Sequence, residues 1–119
     1  MVKNIEQCPG WDGRIDRIAA EQLLQGKRIG SYLLRKSDEI ADAIVSQLSA
    51  TNHLAIKSYL CTVVESQNKI ADVLILHNPK KGWTVYQDNP DLSDSAYRYY
   101  SSAKDLLAHH HHLKYRLAN

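Results

Sequence analysis

Eight residues constrain this chain more than any others: Gly30-Ser31-Tyr32-Leu33-Leu34-Arg35-Lys36-Ser37. They read as a short apolar strand with an arginine near its far end and a serine two residues on. Side chains two apart on a strand share a face, so Leu33, Arg35 and Ser37 point one way and Tyr32 and Leu34 the other. Both faces carry apolar groups, as in a central strand covered on both sides. A guanidinium in such a place is costly unless it is paired or receives an anionic ligand. Arg35 therefore needs an anion, and a hydroxyl at Ser37 completes a small oxyanion pocket.

Size and charge narrow what such a strand can belong to. A chain of 119 residues suits one domain with one core. At 44% apolar and 24% charged with a net charge of +2, it lacks the concentrated basic face of a nucleic-acid binder. No apolar run approaches the ~18 residues of a membrane span, and no signal peptide opens the chain. Cys8 and Cys61 have no metal-ligand spacing, and two thiols in a reducing compartment are expected rather than one disulfide.

The rest of the chain sorts into elements around the strand. Residues 1–10 form a leading segment that ends at Pro9-Gly10, and residues 11–119 form the domain. Asp16 is an N-cap for the helical run through Leu24, on which Arg17, Ala20 and Leu24 fall on one stripe. Asp38 to Ala50 carries Ile40, Ile44 and Leu48 at helical spacing, with acidic residues at its start that suit the dipole. Leu54 to Glu65, Ile70 to His77 and Trp83 to Tyr86 read as an antiparallel meander, followed by a polar loop from Gln87 to Ala96. Ser102-Ala103-Lys104-Asp105 has the capping-box form and opens a last helix through Leu106 and Leu107. The fold class is α+β: a central antiparallel sheet flanked by two helices, with an inserted helix at about 38–50.

The strand resembles the signature Gly-(Ser/Thr)-Phe-Leu-Val-Arg-x-Ser of the Src homology 2 domain family. That family typically opens with Trp, then Gly, an Arg four residues later, and Ala-Glu-x-Leu-Leu. Trp11, Gly13, Arg17, Ala20-Glu21 and Leu23-Leu24 answer to this, with Trp11 one residue closer to Gly13 than usual. Tyr100, Ser102-Ala103 and Leu106-Leu107 match the start of the family's last helix. The resemblance covers roughly residues 11–113. It departs after Ser37, where members use a short loop and this chain inserts a helix. Such divergence is similar to the copies carried by intracellular bacterial pathogens, which implies action in the host cytosol; otherwise the chain is expected to be cytoplasmic.

What the resemblance implies is phosphotyrosine recognition. A phosphotyrosine presents nearly two negative charges and three acceptor oxygens on a long flat ring, and the planar fork of Arg matches phosphate oxygens in pairs. By this resemblance Arg35 lies at the pocket floor, Arg17 is the second arginine, and Ser37 donates its hydroxyl. Seven residues separate Ile75 from Trp83, a register that places Asp72 at the family's pocket His, Leu74 at its Lys, and Ala55 against the ring. Ala55 and Leu74 then make an apolar collar, and ~40 Å² of added ring contact contributes roughly 1 kcal/mol. Specificity is expected to rest on phosphotyrosine more than on its neighbours. A rival register sets His53-Leu54-Ala55-Ile56 on the family's His-x-x-Ile but forces a long insertion before Trp83. The inserted helix has two readings: backbone N–H groups aimed at the phosphate, or packing on the fold's edge or a partner.

His109 to His112 invite a metal reading, but only His109 and His112 share a helix face and no carboxylate or Cys completes a site. No nucleophile–base pair or Gly-rich nucleotide loop is present, so no enzyme and no cofactor are expected. Tyr97, Tyr99 and Tyr100 are read as a half-buried strand edge rather than modification sites. The expected partners are tyrosine-phosphorylated proteins or peptides, with no nucleic acid and no membrane, bound by a monomer. The alternatives are a phosphate-independent scaffold on the same fold and a metal-dependent enzyme resting on the His cluster.

Overall fold

The arginine-bearing segment forms β1, Ser31–Lys36, in the interior of a five-stranded sheet. The computed structural model describes residues 5, 8, 11–13, 15–109 and 115–116. β2 spans Lys57–Ser66, β3 Lys69–Asn78, β4 Gly82–Val85 and β5 Tyr115–Arg116. The sheet order is β4-β3-β2-β1-β5, antiparallel throughout except for the parallel β1–β5 pair. β2 and β3 are joined by a two-residue turn at Gln67-Asn68, so the expected meander forms, with β2 starting later than Leu54.

Period-2 alternation divides the β1 side chains between two layers. On one face Tyr32 and Leu34 join Cys61, Val63, Ile75 and Trp83 under α3, Ala103–His109, which supplies Leu106 and Leu107. Ile5 and Cys8 of the leading segment are buried in this same layer. Neither Cys8 nor Cys61 is in a disulfide. Trp11 bridges to Leu34 and meets Tyr59 edge-on at 5.9 Å. A Cβ on Gly13 would fall 2.5 Å from the Trp11 ring, which explains a glycine at that position.

The opposite face carries two helices side by side. α1, Arg17–Leu24, begins where the Asp16 carboxylate accepts the Ala19 N–H at 2.8 Å, and it buries Ala20 and Leu24 against Leu33 and Val64. α2, Glu39–Asn52, is the inserted helix, capped by Asp38 and ended by His53 in the left-handed region at φ 55°. The residues it buries are Ala41, Val45 and Leu48, one position round from the expected stripe, while Ile40 is exposed. The sheet below explains the shift: Val45 and Leu48 pack with Ile56 and Leu76, and Ile40 and Ile44 are turned toward the gap between α1 and α2.

Tyrosines hold the segment after β4 onto this second layer. Tyr97 and Tyr99 donate their hydroxyls to the carbonyls of Asn89 and Leu92. Asn52 at the end of α2 donates to Pro90 O and accepts from Leu92 N, and Leu92 is buried in the α2 cluster. Tyr100 pairs with Trp83 through two backbone bonds of 2.8 Å. The Tyr100 carbonyl lies so close to Gly82 that a side chain there would collide with it. Among the described residues, no helix is long and apolar enough to cross a membrane.

Candidate functional site

The gap between the two helices leaves one stretch of the sheet's upper face without an apolar cover, and Arg35 stands there. Its partner across β2 is Leu60, and the next pair outward is Thr62 with Asp72 on β3, so all four side chains share that face. Arg35 is 2% exposed. Its Nε donates to Thr62 Oγ1 at 2.9 Å and its Nη2 to Asp72 Oδ2 at 3.1 Å. The Thr62 hydroxyl, in turn, donates to Asp72 Oδ1 at 2.6 Å. These three contacts close a triangle in which a buried charge is both paired and hydrogen-bonded, as burial requires.

Arg17, the first residue of α1, reaches the same carboxylate, with its Nε 3.5 Å from Asp72 Oδ2. Its Nε also donates to Glu21 Oε1 at 3.0 Å, one turn on. The Glu21 bond and the Asp72 and Glu21 charges all push the Arg17 pKa up, so the group stays a cation. Asp38 adds a second carboxylate, 3.8 Å from Arg35 Nη2. Two guanidiniums thus converge on one carboxylate oxygen, where an anion is bound by charge from both sides.

Two cavities open onto this point and share Arg17 and Asp38. The smaller, about 410 Å³, is lined by Arg35, Ser37 and Ile15. The larger, about 760 Å³, has Asp72 at its polar end and a wall of Ile40, Ile44, Leu60, Leu74 and Tyr86. Since Arg35 lines one and Asp72 the other, their ion pair marks the common boundary. The arrangement is a charged floor beside an apolar trough, suited to a ligand with an anionic end and a flat apolar body.

The SH2 domain family model matches residues 11–110. The chain belongs to the SH2 domain family. SH2 domains are modules that bind tyrosine-phosphorylated peptides. No curated protein matches the chain.

Within this SH2 domain the structure brings Arg35, Arg17 and Asp72 together and sets Leu74 in the wall of the trough. Ser37 lies at the mouth of the smaller cavity, but its hydroxyl donates to Asp42 and accepts from Ser58 at 2.9 Å, bonding to neither arginine. The expectation for Ala55 is corrected. Ala55 is exposed, two residues ahead of β2, and lines neither cavity. α2 runs on to Asn52 and turns at His53, so the chain needs residues 54–56 to regain the sheet; Leu60 then takes the place opposite Arg35. His53 is a helix cap, so the rival register has no support.

Thr62, whose hydroxyl bonds both members of the ion pair, is not among the site residues expected from the sequence. Its signal was a lone hydroxyl in the run Leu60-Cys61-Thr62-Val63-Val64, in register with Asp72 once the hairpin turn is placed. Ile40 and Ile44, on the expected helix stripe, also line the larger cavity. One first-turn N–H group of α2, that of Ala41, is engaged by the cap, donating to Asp38 Oδ1 at 3.0 Å. Among the described residues no cluster of His, Cys, Asp or Glu could hold a metal ion. His110, His111 and His112 lie outside the described residues, and His109 donates to the Asp105 carbonyl at 2.8 Å while stacking on Tyr100.

Proposed function

We propose that this SH2 domain holds the phosphate of a phosphotyrosine between Arg35 and Arg17, with the ring lying in the trough walled by Ile40, Ile44, Leu74 and Tyr86. The observation that carries this reading is the buried Arg35, whose carboxylate partner Asp72 is also reached by Arg17 and lines an apolar-walled cavity about 760 Å³ in volume. Arg35 makes two hydrogen bonds with the described residues, which leaves further guanidinium N–H donors for phosphate oxygens. Ser37 lines the smaller cavity beside Arg35 and reaches the phosphate by turning its hydroxyl away from Asp42. The depth of Arg35 favours the long phosphotyrosine arm over phosphoserine.

Sequence preference beyond the phosphotyrosine is relaxed in this reading. The family resemblance builds its second, peptide-reading pocket partly from the loop after the last aromatic strand. Here that loop is pinned to α2 through Asn52, Leu92, Tyr97 and Tyr99, on the arginine-bearing face. A phosphate-independent scaffold is the second reading, favoured by one observation: Asp72 already forms an ion pair with both arginines. Fluorescence anisotropy with a phosphotyrosine peptide, its unphosphorylated twin and a phosphoserine analogue separates the two. Binding of the first alone, weakened at least about 100-fold in Arg35→Met, is expected from the loss of two charge-assisted bonds of about 1.5–3 kcal/mol each. Equal binding of all three peptides would establish the scaffold.

A further inference from the structure

We infer that Asp72 makes phosphate binding a proton-coupled event, so that the domain takes up one proton when it closes on phosphotyrosine. This inference rests on the reading of Arg35 and Arg17 as the phosphate seat and goes beyond it. Asp72 Oδ2 occupies the point on which both guanidiniums converge, 3.1 Å from Arg35 and 3.5 Å from Arg17. With Asp38 3.8 Å from Arg35 and Glu21 3.0 Å from Arg17, the two guanidiniums already face three carboxylates, and the site has no net attraction for an anion. A dianionic phosphate entering between the arginines would meet the Asp72 carboxylate at close range.

Asp72 is not placed to leave. Its Oδ1 accepts a 2.6 Å bond from Thr62, which is 1% exposed, and withdrawal would strand that buried hydroxyl and half of Arg35's bonding. Two anionic oxygens forced into contact resolve their repulsion by sharing a proton, as paired carboxylates do. The balance is simple: one proton leaves a buffer acid and ends in an O–H···O bond between Asp72 Oδ2 and a phosphate oxygen. No covalent bond in the ligand forms or breaks. The phosphate's second pKa is about 6, so carrying this proton at pH 7 costs only about a factor of ten in affinity.

The other charged groups facing the cavity do not account for such uptake. Arg17 and Glu21 on α1 pair with each other, as do Glu65 on β2 and Lys69 on β3, while Arg35, Asp38 and, at the smaller cavity, Asp16 and Lys36 complete the set. Burial and Asp88 raise the Tyr86 phenol, which is therefore neutral through pH 8. Among the described residues lining either cavity none is a histidine, so no side chain there ordinarily titrates near neutrality.

The test is calorimetry of the wild-type chain with a phosphotyrosine peptide in two buffers of different ionisation heat, at pH 7, 7.5 and 8. Uptake of about one proton per peptide, with affinity falling about tenfold from pH 7 to pH 8, is expected. In Asp72→Asn the uptake should vanish and affinity should stay level over that range, dropping only below about pH 6 as the phosphate itself protonates. The wild-type measurement stands even where the variant folds poorly. Tight binding with no proton uptake would overturn the inference and leave the phosphotyrosine reading intact. No phosphopeptide binding at any pH would overturn both.

Discussion

Replacing Arg35 by Met tests the buried ion pair through stability alone, before any ligand is added. The substitution keeps much of the aliphatic stem and removes the two bonds, 2.9 Å to Thr62 and 3.1 Å to Asp72. Breaking a buried pair by deleting one partner costs about 3–5 kcal/mol. Asp72 is one-fifth exposed and keeps both the Thr62 hydroxyl and Arg17, which places the loss at the low end, about 3 kcal/mol. With a urea slope of about 1.5 kcal/mol per M for a domain of this size, the midpoint should fall by about 2 M. The double variant Arg35→Met with Asp72→Leu removes both charges and should recover most of that loss, less about 1 kcal/mol for the stranded Thr62 hydroxyl. Urea titrations followed by tryptophan fluorescence read all three proteins. A single variant as stable as wild type, or a double variant no better than the single, would refute the pairing.

Leu48→Ala should cost about 2–4 kcal/mol in a thermal or urea melt, because the side chain is 2% exposed among Val45, Ile56 and Leu76; a loss below about 1 kcal/mol would mean that α2 is not docked. Burial raises the Cys61 thiol well above its ordinary 9.0 and raises the Tyr97 phenol above 10.0, so both stay neutral in the fold while the unfolded chain ionises. Stability should therefore be level below about pH 8.5 and fall as pH rises through 9 to 10, and iodoacetamide at pH 8.5 should alkylate Cys61 only in denaturant. A level stability up to pH 10 would contradict this.

What could be read from the chain followed from how strongly each residue is constrained. Arg35 on a doubly apolar strand demands an anion, and the helix capped by Asp16 brings Arg17 to the same carboxylate, so the convergence of the two arginines was legible. The inserted helix was legible in extent but not in rotation: Ile40 and Ala41 are both apolar, and only the sheet beneath selects Ala41, Val45 and Leu48 for burial. Ala55 was misplaced because the start of β2 depends on where α2 stops, and the turn at His53 leaves no mark in apolar pattern. Thr62 and Ser37 show the opposite difficulty. A hydroxyl announces that it will bond, while its partner is chosen by strands and helices far along the chain, here Asp72 for one and Asp42 for the other.

The placement of α2 has a consequence for how such a pocket can change. Lys36 and Tyr59 are paired neighbours in the sheet, and twenty-two residues run between them, so the chain leaves and returns within about 5 Å. Closing that span instead of a turn of about four residues costs only about 1.5 kcal/mol of chain entropy. The pairing of β1 with β2 therefore tolerates a different segment after Asp38, provided it buries Leu76 as Val45 and Leu48 do. One wall of the trough is an interchangeable part: another segment can take its place and reshape the space beside the arginines, without touching the strand that carries Arg35.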